Sequence, residues 1–236
     1  MLRTVFIGDV HSCADELSEL LDRCALVSGD RVLLTGDLLS RGPKPHDVLK
    51  LFREVGARAP IGNHERRLID AHHARKAGEK GPRLSPSHQQ IVHELTDEDW
   101  ALLEELPLTI DLPEHNTVLV HAGIDPRLPL AKQDPWVMMH VRSIDAEGEP
   151  SEKWGTPWGQ LYFGPQHIVF GHNARKHPQL HPFATGLDTG CVYGGRLTAL
   201  VLPEGEAPPP VADRGDCLIS VPARHEYSDY GRGLPE

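Results

Sequence analysis

The chain has 236 residues, 39% of them hydrophobic, with 24 Lys and Arg against 34 Asp and Glu and a formal net charge of −10. That length and apolar fraction suit one domain with a sizeable core, expected to span residues 1–236. The acidic balance excludes proteins that coat a nucleic-acid duplex or an anionic membrane surface, because both partners are polyanions.

Thr4–Ile7 is an apolar, β-branched run that breaks at Gly8 and predicts a strand. Ser12 with Asp15 fits a capping box, and Leu17, Leu20, Leu21 and Cys24 follow at helical spacing. Arg31–Leu34 predicts the next strand, and Val48, Leu49, Phe52 and Val55 the next helix, stopped by Gly56. Ala57–Ile61 reads as a third strand and 65–77 as a more polar helix. This βαβαβα order predicts parallel pairing in an α/β fold. Gly78–Ser87 is expected as an exposed loop. A helix capped by Thr96 and Asp99 follows, with Leu102, Leu103 and Leu106 inward, and then a hairpin of Leu108–Leu112 and Thr117–Val120. Asp125–Pro165 shows little periodicity, as expected of an elaborated segment over a site. His167–Phe170 and Gly186–Leu202 return to strand character, Pro203–Asp216 reads as a loop, and Cys217–Val221 as a last strand.

The four cysteines, Cys13, Cys24, Cys191 and Cys217, form no CxxC pair and show no metal-knuckle spacing. They are too sparse for a disulfide framework, which favours a reducing compartment. No leader is expected, since Met1-Leu2-Arg3 runs straight into a strand-like segment, and no apolar stretch approaches the roughly 20 residues that span a bilayer. The expected location is cytoplasmic.

Fifteen histidines outnumber the aromatic residues (5 Phe, 4 Trp, 4 Tyr). Five predicted strand tips end in a short polar signature: Asp9 and His11, Asp37, Asn63 and His64, His121, and His172. A Gly-Asp after one strand is an ordinary turn. Five tips that each deliver Asp, Asn or His are not explained by turn chemistry. Open α/β sheets gather ligands at the carboxyl ends of strands, so the tips should converge. Carboxylates, imidazoles and an amide oxygen without thiolate suit two divalent ions, Mn²⁺ first, with Fe, Zn²⁺ or Co²⁺ as alternatives. Two such ions, about 3.5–4 Å apart, can share a carboxylate and a hydroxide while clamping a phosphoryl oxygen.

GDVHS (8–12), GDLLSRGP (36–43), GNHE (62–65), HAG (121–123) and GHN (171–173) resemble the metallophosphoesterase signature of the phosphoprotein phosphatase superfamily. LDTGCVYGGRLTAL (187–200) resembles its symmetrical bis(5'-nucleosyl)-tetraphosphatase, or diadenosine tetraphosphate hydrolase, branch. The resemblance implies a calcineurin-like four-layer α-β-β-α sandwich with a dinuclear centre at one edge. It implies that Asp9 and His11 bind the first metal, that Asp37 bridges, and that Asn63, His121 and His172 complete the second. His64 would be the general acid and Arg41 a phosphate clamp, with Arg142, in MMHVRS, a candidate second clamp. The implied reaction is attack by a metal-bridged hydroxide on diadenosine tetraphosphate, giving two ADP. A Ser/Thr protein phosphatase with a phosphoprotein substrate is the alternative, and a silent nucleotide- or partner-binding module the third reading.

Two departures bear on the substrate. Ser40 stands where the protein-phosphatase branch carries an Asp that partners the catalytic His, so His64 is expected to be a weaker acid. That favours a phosphoanhydride, whose leaving group is already a stable anion. Ser12 stands where Gly is usual. The basic residues of 66–83 are expected as a solvated helix face. The histidines outside the motifs, His88 among them, are expected to be structural or exposed. Trp136, Trp154, Trp158, Tyr162 and Tyr193 are expected to pack under a loop rather than stack a base.

Overall fold

The computed structural model describes residues 2–231 and 233–236. β1 (Arg3–Ile7) and β2 (Arg31–Leu34) pair in parallel, joined by α1 (Ala14–Cys24). Four helices follow: α2 (Pro45–Glu54), α3 (Asn63–Ala77), α4 (Pro86–Glu94) and α5 (Asp97–Glu104). β3 (Thr109–Leu112) and β4 (Thr117–Val120) form the expected hairpin. The 125–165 segment holds α6 (Pro135–His140) and a small sheet of β5 (Ser143–Ile144), β6 (Pro150–Ser151) and β7 (Thr156–Pro157). The rest of the fold is β8 (His167–Phe170), β9 (Gln179–His181), β10 (Ala184–Gly186), β11 (Arg196–Pro203), α7 (Val211–Arg214) and β12 (Leu218–Pro222).

The two large sheets run β12-β11-β1-β2 and β3-β4-β8-β10-β9. Period-two alternation decides which side chains meet. Phe6, Leu33, Leu200 and Leu202 of the first sheet bury against Ile110, Leu112, Leu119 and Val169 of the second. Val5 and Ile7 point the other way, onto Leu17, Leu20, Val48 and Leu49 of α1 and α2. Val120, Ile168 and Phe170 of the second sheet pack outward on Val137 and Met138 of α6 and on Trp158. The layers are α-β-β-α, a mixed α/β fold.

Several sequence expectations need correction. Pairing is parallel for β1–β2, β4–β8 and β8–β10 but antiparallel for β1–β11 and β11–β12, so the sheets are mixed. Ala57–Ile61 is not a strand. Only Arg58 bridges Leu33, and Pro60, which has no N–H to donate, ends the ladder there. Ser12 does not cap α1. The N-cap is Cys13, while Ser12 sits at φ +63° with its buried hydroxyl unpaired. Its backbone N–H is drawn to Leu38 O and that of His11 to Asp37 O, and this ties the first tip to the second. The 78–87 loop runs into α4, which starts at the Ser85-Pro86 signal. Leu187–Gly195 leaves the sheet between β10 and β11, and α7 interrupts the 203–216 loop. The capping box of Thr96 and Asp99 at α5 is present as expected. Among the described residues, no helix is long and apolar enough to cross a membrane.

Candidate metal centre

The strand tips converge. Asp9 and His11 follow β1, Asp37 follows β2, Asn63 and His64 open α3, His121 follows β4 and His172 follows β8. Their backbone is bent sharply: His11, Asp37, Arg41 and His172 all have positive φ, from 47° to 62°. Such conformations persist in non-glycine residues only where surrounding contacts hold them. Gly62 and Gly171 let the tips close in, because a Cβ on either would stand 2.3 Å from Asp37 Oδ1 or 1.8 Å from Asp9 Oδ1. At the fourth tip, a Cβ on Gly123 would meet the Trp158 indole at 2.2 Å, and that indole donates to Ala122 O at 3.1 Å.

Each imidazole is fastened on its outer side, and the inner nitrogen of His11 also accepts from Arg41 Nη1 (3.0 Å). His121 Nδ1 donates to Thr35 O (2.9 Å) and His172 Nε2 to His140 O (3.1 Å). His11 Nδ1 faces Ser40 Oγ (3.1 Å) and Leu39 O (3.4 Å). The inward nitrogens are therefore lone pairs. His121 Nε2 and His172 Nδ1 lie 3.0 and 3.1 Å from Asn63 Oδ1, and His121 Nε2 lies 3.5 Å from Asp37 Oδ1. These are acceptors facing acceptors, and such an arrangement is unfavourable until a cation sits among them. Asp37 belongs to two groups of mutually close ligand atoms, one with His121 and His172, the other with His11 and His64. Asp9 is held alongside by Thr35 Oγ1 (2.7 Å) and the His172 N–H (2.8 Å).

The electrostatics agree. Burial pushes the Asp9 carboxyl well up, and nearby Asp188 and Asp37 add to the rise. Burial likewise raises Asp37 to about 7. Burial lowers His121 to about 4, and burial with Arg142 drives His172 well down, so both rings are neutral and fit to ligate at pH 7. Clustered buried carboxylates beside neutral imidazoles form a site whose missing partner is positive charge. The donor set fits divalent ions, with no thiolate in it.

Residues 2–176 match the calcineurin-like phosphoesterase family model. The chain belongs to that family. It is 31% identical over 253 residues to the asymmetrical bis(5'-nucleosyl)-tetraphosphatase PrpE of Halalkalibacterium halodurans, covering 97% of this chain and 98% of that one. The PrpE of Oceanobacillus iheyensis, also named asymmetrical, is 32% identical and covers 85% and 88%. A crystal structure of a candidate diadenosine tetraphosphatase superposes with a TM-score of 0.79 at 31% identity over 94% of this chain and 93% of that one. A metallophosphoesterase from Sphaerobacter thermophilus, at 19% identity and a TM-score of 0.55, shares the fold.

As in other calcineurin-like phosphoesterases, the expected centre is metal-binding, and two arginines flank it. Arg41 Nη1 donates to His11 Nε2 (3.0 Å) and the guanidinium lies over Tyr193, 5.5 Å from its ring centre. Arg142 donates to His172 O (3.1 Å) and Asn173 Oδ1 (3.2 Å) and lies over Trp154. Trp158 and Tyr162 are buried as expected, whereas Trp136 and Trp154 are about half exposed. The basic run of 66–83 is largely solvated, with Arg66 paired to Asp70.

As the Ser40 departure implied, no carboxylate partners the outer nitrogen of His64, and burial with Arg41 holds its pKa well below the usual histidine value. Ser40 Oγ meets His11 Nδ1, whereas His64 Nδ1 meets His88 Nε2 at 2.8 Å. The side chain that partners His64 comes from α4, a helix absent from the sequence reading, so His88 is neither exposed nor idle. Asp188 was also missed. It sits in the irregular 187–195 stretch and raises Asp9 by like charge. Glu65, the fourth residue of GNHE, accepts from the Leu39 N–H (3.0 Å) and is raised by burial to about 8. The four cysteines are free, in keeping with the reading of no disulfide framework. Cys13 and Cys191 converge with Glu16, whose Oε1 accepts from the Arg224 N–H (2.9 Å) and the Tyr227 hydroxyl (2.8 Å).

These shifts set a pH dependence for the metal-free protein. A carboxyl whose folded pKa is raised contributes stability below its unfolded pKa, about 4, and loses that contribution as pH rises through the folded value. Asp37 at about 7 and Glu65 at about 8 therefore lose stability between pH 6 and 8.5, while His121 and His88, both lowered to about 4, add it over the same rise because their unfolded forms shed a proton near 6.5. Glu65→Gln isolates the carboxyl part: the chelated variant should hold its melting temperature better than chelated wild type between pH 6 and 8.5. Melting curves of both proteins with chelator check this, and a variant that falls as much as wild type would refute it.

Proposed function

We propose that residues 1–236 act as one cytoplasmic phosphoesterase domain that hydrolyses dinucleoside tetraphosphates at a two-metal centre, with Mn²⁺ the first candidate ion. The observation that carries the reading is the acceptor-only convergence of Asn63, His121, His172 and Asp37, extended through Asp37 to His11 and adjoined by Asp9. Divalent ions bound there would supply Lewis acidity to a phosphoryl oxygen and a water molecule of lowered pKa. The chain's own residues do the rest. Asp9, His11, Asp37, Asn63, His121 and His172 hold the ions, and the outer hydrogen bonds fix how each imidazole points. Arg41 and Arg142, on opposite flanks, hold the phosphate chain through their planar forks. His64, with Nε2 turned to the centre 3.9 Å from Asp37 Oδ2, delivers a proton to the departing oxygen.

The sequence reading favoured two ADP. The full-length similarity to enzymes named asymmetrical moves the reading to ATP plus AMP. His64 meets an imidazole rather than a carboxylate at its outer nitrogen, which keeps the preference for an anhydride, and the names of the relatives support the same substrate. Product analysis on diadenosine tetraphosphate with Mn²⁺, run beside a phosphopeptide, tests both points. ATP and AMP in equal amounts are expected. Two ADP would return the chain to symmetrical cleavage, and turnover of the phosphopeptide alone would reject the dinucleotide substrate.

A further inference from the structure

Outside the strand tips, one buried polar contact has no counterpart in the motifs. His88 is 3% exposed and His64 8% exposed, and their rings lie nearly coplanar, 5° apart, with Nδ1 of His64 2.8 Å from Nε2 of His88. Behind them, His88 Nδ1 lies 2.6 Å from Ser85 Oγ, the N-cap oxygen of α4. Both histidines thus belong to helix starts: His64 is the second residue of α3, and His88 lies in the first turn of α4. Packing of α3 on α4 sets the distance between them.

We propose that His88 is the positioning residue for His64, its Nε2 lone pair accepting the His64 Nδ1–H and so aiming His64 Nε2 at the centre. The inference rests on the reading of His64 as the proton donor. The direction of the bond follows from that role. A ring that gives up a proton at Nε2 must keep one on Nδ1, or it would be left as an imidazolate, and that Nδ1–H needs an acceptor. At the other end His88 Nδ1–H donates to Ser85 Oγ, which also takes the His88 backbone N–H (3.4 Å) and can pass its own hydrogen to Ser87 Oγ (3.0 Å), so each proton has an acceptor. Fixing the outer nitrogen secures the ring's orientation, as outer partners do for ligating imidazoles.

The test uses the metal-loaded enzyme and aryl phosphates, which contain no nucleoside. His88→Ala should lower kcat about 10- to 100-fold with KM nearly unchanged. The loss should grow as the leaving phenol becomes more basic, from p-nitrophenyl to phenyl phosphate. Metal content should stay at the wild-type level, and His88→Gln, whose amide oxygen can accept from His64 Nδ1, should recover part of the loss. Imidazole ¹⁵N spectra of the Zn²⁺-loaded wild type give a readout independent of turnover: neutral His64 should carry its proton on Nδ1, and His88→Ala should mix the tautomers. A neutral His64 protonated on Nε2, a loss equal for all leaving groups, or unchanged kcat overturns the proposal. His64→Ala in parallel separates the failures. If it costs nothing, the proton-donor reading itself falls; if it costs activity while His88→Ala does not, only the role of His88 falls. Failure to cleave a dinucleotide would touch neither result.

Discussion

Replacing Asp37 with Asn is expected to reduce bound metal and to lower kcat about 1,000-fold, the loss of several kcal/mol of transition-state stabilisation. Among the described residues, Asp37 alone belongs to both ligand groups, one with His11 and His64 and the other with His121 and His172. The amide keeps the shape but not the charge, and its NH₂ would donate to lone pairs that now face one another at 3.0 to 3.5 Å instead of leaving them to a cation. The same change should not harm the metal-free fold. Asp37 is raised to about 7 by burial, so its ionised form opposes folding at pH 8, and a neutral Asn removes that opposition. Chelated Asp37→Asn protein should therefore melt no lower than chelated wild type at pH 8. Metal analysis, kcat and melting temperature together check the assignment. Wild-type metal content in the variant would remove Asp37 as the shared ligand, and a large drop in chelated stability would make its role structural.

The sequence revealed the centre more clearly than it revealed the ground around it, for physical reasons. Ligands at strand tips announce themselves because β1, β2, β4 and β8 are apolar runs that must stop where the chain turns polar, and the residue at each stop is Asp or His. Asn63 and His64 were found for the same visible reason, although the run before them is no strand: Pro60 interrupts the ladder that Val32 and Leu34 begin with Arg58. His88 could not be found this way. Nothing in Leu84–Gln90 marks a contact with residue 64, because that contact depends on how α4 lies against α3. Ser85-Pro86 did hold a helix start, which was legible and overlooked. Asp188 was quoted within LDTGCVYGGRLTAL but not separated from it, since an irregular segment between two strands carries no periodicity to show which side chains face inward. Ser12 misled through a genuine capping pattern. The positive φ that ties its backbone to Leu38 overrode local propensity.

Replacing His64 with Ala is expected to leave metal content near the wild-type level and to cost activity by an amount set by the leaving group. General-acid catalysis contributes typically 10²- to 10⁴-fold, and the benefit is greatest when the departing oxygen is basic. A departing nucleotide polyphosphate is already a stable anion and gains little from protonation, so diadenosine tetraphosphate should lose about 100-fold. Phenyl phosphate expels a far more basic oxygen and should lose about 1,000-fold or more. The competing assignment is concrete, because His64 also lies among the close ligand atoms of His11 and Asp37. A ligand would behave otherwise: the variant would lose metal and would lose equal activity on both substrates. The hydrogen bond to His88 favours the acid, since it fixes the ring by its outer nitrogen. It does not by itself decide, because His11, His121 and His172 are fastened in the same manner. What sets His64 apart from His121 and His11 is that its Nε2 stands 3.9 Å from the nearer Asp37 oxygen, against 3.5 and 3.6 Å, and that its side chain is the more exposed, 10% against 0% and 4%.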